Sequence, residues 1–132
     1  MSQENVDLLR RNFAAFNEGD LDLAASVFRA DAEWVPYLGR LAGKVHRGPD
    51  EIIQMWLDLN EHLSHFQNEP REFIDCGERI VVVVEAEGKG AESGAEVRHR
   101  WAQVWSFRDG LVARVEPFPT RTQALEAAGL SE

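Results

Sequence analysis

The stretch WAQVWSFRDGLVARVEPFPTRTQALEAAGL (residues 101–130) decides the fold, together with FNEGDLDLAASVFRADAEW (residues 16–34). The first stretch predicts a β-hairpin with an Arg-Asp-Gly turn, then a short helix with a capping box at Thr120 and an end at Gly129. The second predicts two amphipathic helices, joined by a Gly-Asp corner, that lead into a strand.

Working outward, the spacing of apolar residues predicts three helices. The first covers residues 3–18. The stripe of apolar side chains along the second extends to Phe28, and the third begins at Gly48 and has an apolar stripe that extends to Phe66. Alternation predicts strands over residues 32–37, 67–75, 80–87, 97–107 and 111–118, and residues 38–47 read as a loop. Consecutive long strands must pair antiparallel. We therefore expect a single α+β domain over residues 1–132, a curved antiparallel sheet packed on one side by three helices to form a cone with a central cavity, closed by a short C-terminal helix.

Composition excludes several classes of function. With 44% hydrophobic and 28% charged residues, the chain is typical of a globular protein. A net charge of −9 argues against nucleic acid and against an anionic membrane surface as partners. There is no apolar run long enough to cross a bilayer and no signal-peptide pattern, so we expect a cytoplasmic protein. Cys76 is the only cysteine, which excludes an intrachain disulfide.

The segments AFNEGDLDLAASVFRADAEWV, RGPDEI, VWSFRDGLVARVE and ALEAAGL resemble the SnoaL-like branch of the nuclear transport factor 2-like superfamily. Ketosteroid isomerases, scytalone dehydratase and limonene epoxide hydrolase share this cone fold. The resemblance covers nearly the whole chain and implies the fold and a homodimer. It implies little about function, because the fold hosts enzymes, binding proteins and structural partners.

Residues that carry chemistry in the relatives are changed in this chain. Four polar positions of the ketosteroid isomerase site correspond to Pro36, Asn12, Gln103 and Trp56. The slot of the general base thus holds proline, which excludes a ketosteroid isomerase. The His and Asp that polyketide cyclases keep on the last strand correspond to Val115 and Pro117. No Asp-Arg-Asp set of the epoxide hydrolase type assembles either.

One face of the strand at 97–107 predicts the lining of the cone. Trp101, Trp105 and Phe107 share that face with Gln103, and the helices are the apolar partner available to them. The aromatic residues either fill the core or line a pocket. The amide of Gln103 needs hydrogen bonds from protein, water or a ligand, because an unsatisfied buried amide costs about 1–3 kcal/mol.

The last strand leaves two alternatives for its charged residues. If Val112 and Phe118 face inward, Arg114 and Glu116 face inward with them and could form a charged pair in the cavity. An interior carboxylate beside an arginine would stay ionised and could act as a base. If Ala113, Val115 and Pro117 face inward, both charges lie on the outer surface of the sheet.

Other candidates lie near the expected cavity mouth. Tyr37 ends the first predicted strand, and His46 precedes the third helix. His62 and His65 are three residues apart on a predicted helix, but no third ligand is visible, so no metal site is predicted. There is no glycine-rich phosphate loop or dinucleotide fingerprint, and no cofactor is predicted.

These observations predict a pocket for a small, largely apolar organic molecule. The ligand-binding residues expected are Trp34, Tyr37, His46, Trp56, Trp101 and Gln103. If the protein is an enzyme, it would use acid–base chemistry without a cofactor, with Glu116 as base and Gln103 as hydrogen-bond donor. Catalysis and simple binding both stay open.

The alternative is a non-catalytic dimeric module with a filled core. Its interface would be the outer sheet face, where the small or apolar side chains expected are Val81, Val83, Ala102, Val104 and Ser106. The size of the cavity separates the two hypotheses.

Overall fold

The structure, a computed structural model, describes residues 2–36, 44–90 and 92–129. For residues 2 and 62–64 it describes the backbone alone. Within these residues the order of elements is ααββαββββα. The helices are α1 (Ser2–Glu18), α2 (Leu21–Ala25), α3 (Gly48–His62) and α4 (Arg121–Ala127). The strands are β1 (Phe28–Trp34), β2 (His46–Arg47), β3 (Leu63–Asp75), β4 (Arg79–Gly90), β5 (Glu96–Arg108) and β6 (Leu111–Phe118). The predicted α+β cone fold is confirmed.

The predicted helix boundaries are correct where a capping residue marks them. The Asp20 carboxylate accepts a hydrogen bond from the Leu23 amide at 3.1 Å, and Gly19 ends α1 at φ 86°. The hydroxyl of Thr120 accepts from the Gln123 amide at 3.1 Å, which begins α4. None of the described helices is long and apolar enough to cross a membrane.

Two helices end earlier than their apolar spacing predicts. Phe28 belongs to β1, and the chain from Leu63 onward pairs with β4 although Phe66 continues the stripe of α3. Both phenylalanines still face the core, because Phe28 stacks on Trp105 and Phe66 packs edge-on against Phe16. Strand pairing therefore overrides helical spacing at both ends.

The six strands form one sheet in the order β2-β1-β6-β5-β4-β3. All neighbours are antiparallel except β1 and β6, which run parallel. The sequence predicted antiparallel pairing between consecutive strands, whereas β1 and β6 are distant in the chain and are brought together by the helix and strands between them. Strand β2 lies in the predicted loop, because two residues are too few to show alternation.

The sheet has two faces, and both are covered. On the inner face Val82 lies opposite Gln103, and on the outer face Val81 lies opposite Val104. The inner face packs against α1, α2 and α3 in a core that contains the rings of Phe13, Phe16, Phe28, Trp34, Trp56, Trp105 and Phe107. This arrangement places the aromatic stripe of β5 inside the cone, as the sequence predicts.

Helix α4 covers the middle of the outer face. Ala124, Leu125 and Ala128 pack there on Val81, Ala102, Val104 and Phe118 in a second buried cluster. The ion pair of Arg121 with Glu72 at 3.0 Å joins the start of α4 to β3. The apolar surface expected for a dimer is therefore occupied largely by the chain's own helix. Val81, Ala102 and Val104 are buried under α4 within the chain itself, and a homodimer through the outer sheet face stays a prediction.

We expect Leu125→Ala to lower the free energy of unfolding by about 2–4 kcal/mol, because it leaves a cavity under α4. Leu125 is 2% exposed, whereas Leu23, also helical, is 56% exposed. Leu23→Ala is the matched control and should change stability by less than about 0.5 kcal/mol. Urea unfolding followed by circular dichroism measures both. Equal effects would mean that α4 does not cover the sheet in solution.

Candidate functional site

The interior of the cone contains a cavity of about 10 Å³. Eight residues line it: Asn12, Phe13, Phe16, Trp34, Trp56, Asn68, Gln103 and Trp105. A volume of this size is about what one water molecule requires. The aromatic side chains thus fill most of the space that the cone encloses.

Gln103 lies at the centre of this lining. Its side chain is fully buried, and its Oε1 accepts a hydrogen bond from the indole Nε1 of Trp105 at 3.0 Å. An indole N–H can only donate, so this bond fixes which end of the amide is the oxygen. The Nε2 group consequently faces away from Trp105, and it has no hydrogen-bond partner within the described residues.

Two asparagines bring further polar atoms to the same place. Asn12 donates from Nδ2 to the carbonyl of Ala24 at 2.6 Å, which ties α1 to α2. The backbone of Asn68 exchanges two hydrogen bonds of 2.8 Å with the side chain of Asn17, which ties α1 to β3. The side-chain Oδ1 of Asn68 is buried and, within the described part of the chain, accepts no hydrogen bond.

The cavity therefore has one unsatisfied donor, on Gln103, and one unsatisfied acceptor, on Asn68. Each would cost about 1–3 kcal/mol without a partner. A group that accepts from the first and donates to the second, such as a hydroxyl, matches both.

Tryptophan rings form the apolar wall. Trp34 and Trp56 meet edge to face with their centroids 6.0 Å apart, and Trp34 meets Trp105 in the same way at 5.6 Å. Phe16 packs edge-on against Trp56 at 5.3 Å. Such contacts contribute about 0.5–1.5 kcal/mol per pair beyond the buried area, so the closed arrangement is a stable one.

The structure brings together three of the predicted ligand-binding residues, Trp34, Trp56 and Gln103. Trp101 lies on the same face opposite Val84, but it does not line the cavity. His46 lies opposite Trp34 near the edge of the sheet and is also outside the lining. Tyr37 lies outside the described residues.

The prediction that Glu116 acts as an interior base was wrong. Glu116 lies opposite Val104 on the outer face, with its side chain 30% exposed and 3.9 Å from the Nε of Arg114. The reason is a β-bulge: β6 passes from a pair with Phe107 at Val112 to a pair with Ser106 at Arg114, so Ala113 is an extra residue. Alternation changes phase there, which puts Val112 inward and Phe118 outward.

No Asp, Glu, His, Lys, Arg, Tyr or Cys side chain belongs to the cavity lining found among the described residues. Cys76 lies outside it, half-buried near α4, and burial raises the pKa of its thiol, which disfavours the thiolate. No group of three or more His, Cys, Asp or Glu residues in the described segments could hold a metal ion. Proton transfer by a charged interior group thus has no candidate in the described lining.

The sequence matched Asn12 to a polar position of the ketosteroid isomerase site but did not predict it as a ligand-binding residue, and it did not assign Asn68 at all. Asn12 carried a signal, because it is the polar member of the stripe that contains Leu9, Phe13 and Phe16. Asn68 carried none, since its position depends on the irregular pairing of β3 between Ser64 and Gln67.

The model of the family described as SnoaL-like domain matches residues 9–115. An NTF2-like protein of unknown function from Burkholderia pseudomallei is 24% identical, with 96% of this chain and 98% of that chain covered and a TM-score of 0.80. TerC, co-crystallized with polyporic acid, is 25% identical over 96% and 99% of the two chains, with a TM-score of 0.77.

An NTF2-like protein from Burkholderia xenovorans LB400 is 29% identical, covers 97% of both chains and has a TM-score of 0.74. No curated protein sequence matches this chain significantly. The cone fold agrees with these structures, and the family model spans most of the chain. The chain belongs to the family of SnoaL-like domains.

Proposed function

We propose that this protein binds one small, flat, largely apolar organic molecule inside the cone and does not transform it. The observation that carries the proposal is the Gln103 amide, which lines the cavity, is fully buried, is held by Trp105 and has an unsatisfied Nε2. A polar group in that position, surrounded by aromatic rings, is typical of sites that orient an apolar ligand.

The chemistry of the lining suggests the ligand's polar group. A hydroxyl can accept from Gln103 Nε2 and donate to Asn68 Oδ1, so it would satisfy both buried atoms at once. A charged group would be unfavourable, because the described lining offers it no counter-ion. We therefore infer a neutral, hydroxylated aromatic or alicyclic compound.

Ligand binding requires the interior to open. The cavity of about 10 Å³ admits no organic molecule, so Trp34 or Trp56 would have to leave its place. The edge-to-face contacts that these rings make with each other can be replaced by the same contacts with a flat ligand, which limits the cost of the movement.

One relative supports an organic ligand for this fold. TerC was co-crystallized with polyporic acid, an organic compound, and the match with its structure covers 96% of this chain. At 25% identity this likeness supports an organic ligand and nothing finer. The absence of a titratable group from the described lining favours binding over acid–base catalysis.

The first test is binding of 1-naphthol, with naphthalene as the matched ligand that lacks the hydroxyl. We expect calorimetry to show saturable binding of 1-naphthol, and naphthalene to bind about thirtyfold more weakly, because each of the two hydrogen bonds proposed for the hydroxyl contributes about 1 kcal/mol. Gln103→Leu removes one of the two bonds and should reduce this preference to about fivefold. Gln54→Leu, which changes an exposed glutamine of α3, should preserve it.

Native mass spectrometry of the purified protein complements the titration. A mass excess that disappears on denaturation would identify a retained ligand. The proposal is wrong if no excess is found and neither compound binds to the wild-type protein.

The small cavity favours a second candidate, a non-catalytic module with a filled core. In that case Gln103→Leu should leave the free energy of unfolding within about 1 kcal/mol of the wild type. The substitution removes one unsatisfied donor, the Gln103 Nε2, but it leaves the Trp105 indole N–H without its acceptor.

Adding Trp105→Phe to Gln103→Leu measures the coupling between the two side chains in a double-mutant cycle. Urea denaturation gives the four values, and Gln54→Leu is again the surface control. A loss of more than about 3 kcal/mol in the free energy of unfolding for Gln103→Leu alone would contradict the filled-core candidate. The Gln103 amide would then have a hydrogen-bond partner that stabilises the protein more than the Trp105 indole does. The homodimer and the cytoplasmic location inferred from the sequence remain predictions.

A further inference from the structure

A second concave feature lies on the outer face of the sheet, away from the aromatic cavity. It is an open groove of about 660 Å³. On β4 and β5 the groove begins two residues from the side chains that α4 covers, at Arg79 beside Val81 and at Ser106 beside Val104. Four guanidinium groups and three carboxylates line it: Arg47, Arg79, Arg108, Arg114, Asp31, Glu33 and Glu78. This concentration of arginine is unusual in a chain whose net charge is −9.

The register of the sheet aligns several of these residues in one row. Arg79 lies opposite Ser106, and Ser106 lies opposite Arg114. Neighbouring strands are about 4.8 Å apart, so the two arginines flank the serine from either side. The row continues through Glu33 to Arg47 on β1 and β2.

The carboxylates of the groove are mostly occupied. Glu33 accepts from Arg114 at 2.8 Å and from Arg47. Asp31 accepts from Arg29 at 3.0 Å, and this hydrogen bond lowers the pKa of Asp31. The two acids are therefore already balanced by neighbouring guanidiniums.

Arg79 and Arg108 differ from the other arginines. Neither forms an ion pair with a carboxylate in the described segments, and the Ser106 hydroxyl makes no hydrogen bond with the described residues. The third carboxylate, Glu78, is exposed and engages no arginine in the same segments. Two guanidiniums and one hydroxyl are thus available on one wall.

We propose that this groove binds the phosphate or carboxylate group of a small organic anion, through Arg79, Arg108 and Ser106. Guanidinium groups present paired N–H donors that match the oxygens of both groups, and a nearby hydroxyl adds a second kind of donor. The site is on the opposite face of the sheet from the aromatic cavity. It does not depend on the function proposed above, and substitutions of Gln103 leave it intact.

Inorganic phosphate and succinate are the two probes, titrated separately into the full chain at constant ionic strength. Two charge-assisted hydrogen bonds at an exposed site should give a dissociation constant on the order of 1 mM for at least one probe. The probe that binds more tightly identifies the anion class. Added NaCl should weaken binding, since the site is exposed to solvent.

Two variants should change the affinity in opposite directions. Arg79→Gln removes a positive charge and its charge-assisted hydrogen bond, and should weaken binding about threefold to tenfold. Glu78→Gln removes the opposing carboxylate and should strengthen it about twofold to fivefold. Arg98→Gln is the control, because Arg98 is on the same strand as Ser106 but pairs with Glu87 at 3.1 Å outside the groove.

An increase in affinity on Glu78→Gln cannot result from misfolding, which keeps the test informative if Arg79→Gln is unstable. The proposal is overturned if neither probe binds the wild-type protein, or if Arg98→Gln weakens binding as much as Arg79→Gln.

Discussion

The structure depends on the register of β5 between β4 and β6. Because side chains alternate along a strand, this register puts Trp105 and Gln103 inside the cone and Val104 and Ser106 outside it. A slip by one residue would place the aromatic stripe in solvent, at a cost of about 1.5–3 kcal/mol for each large side chain. Apolar burial on both faces therefore fixes the pairing.

The alternation of side chains along the strands puts different polar groups on the two faces of the sheet. The inner face is aromatic, with the neutral amides of Gln103 and Asn68 as its polar atoms, whereas the outer face holds ion pairs and the arginine groove beside α4. Neutral amides suit an interior where charges would be costly, and guanidiniums suit a solvated groove. The same strand supplies residues to both, such as Trp105 to the cavity and its neighbour Ser106 to the groove.

The sequence alone predicted the elements whose ends are marked by local chemistry. The β5–β6 hairpin, the cap at Asp20 and the capping box at Thr120 depend on residues adjacent in the chain. The phase change at Ala113 could not be predicted, since a bulge shows only against the partner strand. That one residue decided the position of Glu116 and with it the candidate base. The packing of α4 on the sheet was also invisible, because its apolar residues fit either a partner or the chain itself.

The irregular strand β3 has a consequence for assembly. It is a sheet edge of 13 residues, with register shifts near Ser64 and Pro70 and with exposed Glu69, Arg71 and Glu72. A long, flat edge would be a template on which another chain could add a strand and start polymerisation. Proline has no N–H to donate to an added strand, and the register shifts interrupt the regular spacing of the backbone donors and acceptors. The charged side chains repel an identical strand. Growth by strand addition is thereby opposed at this edge of the sheet.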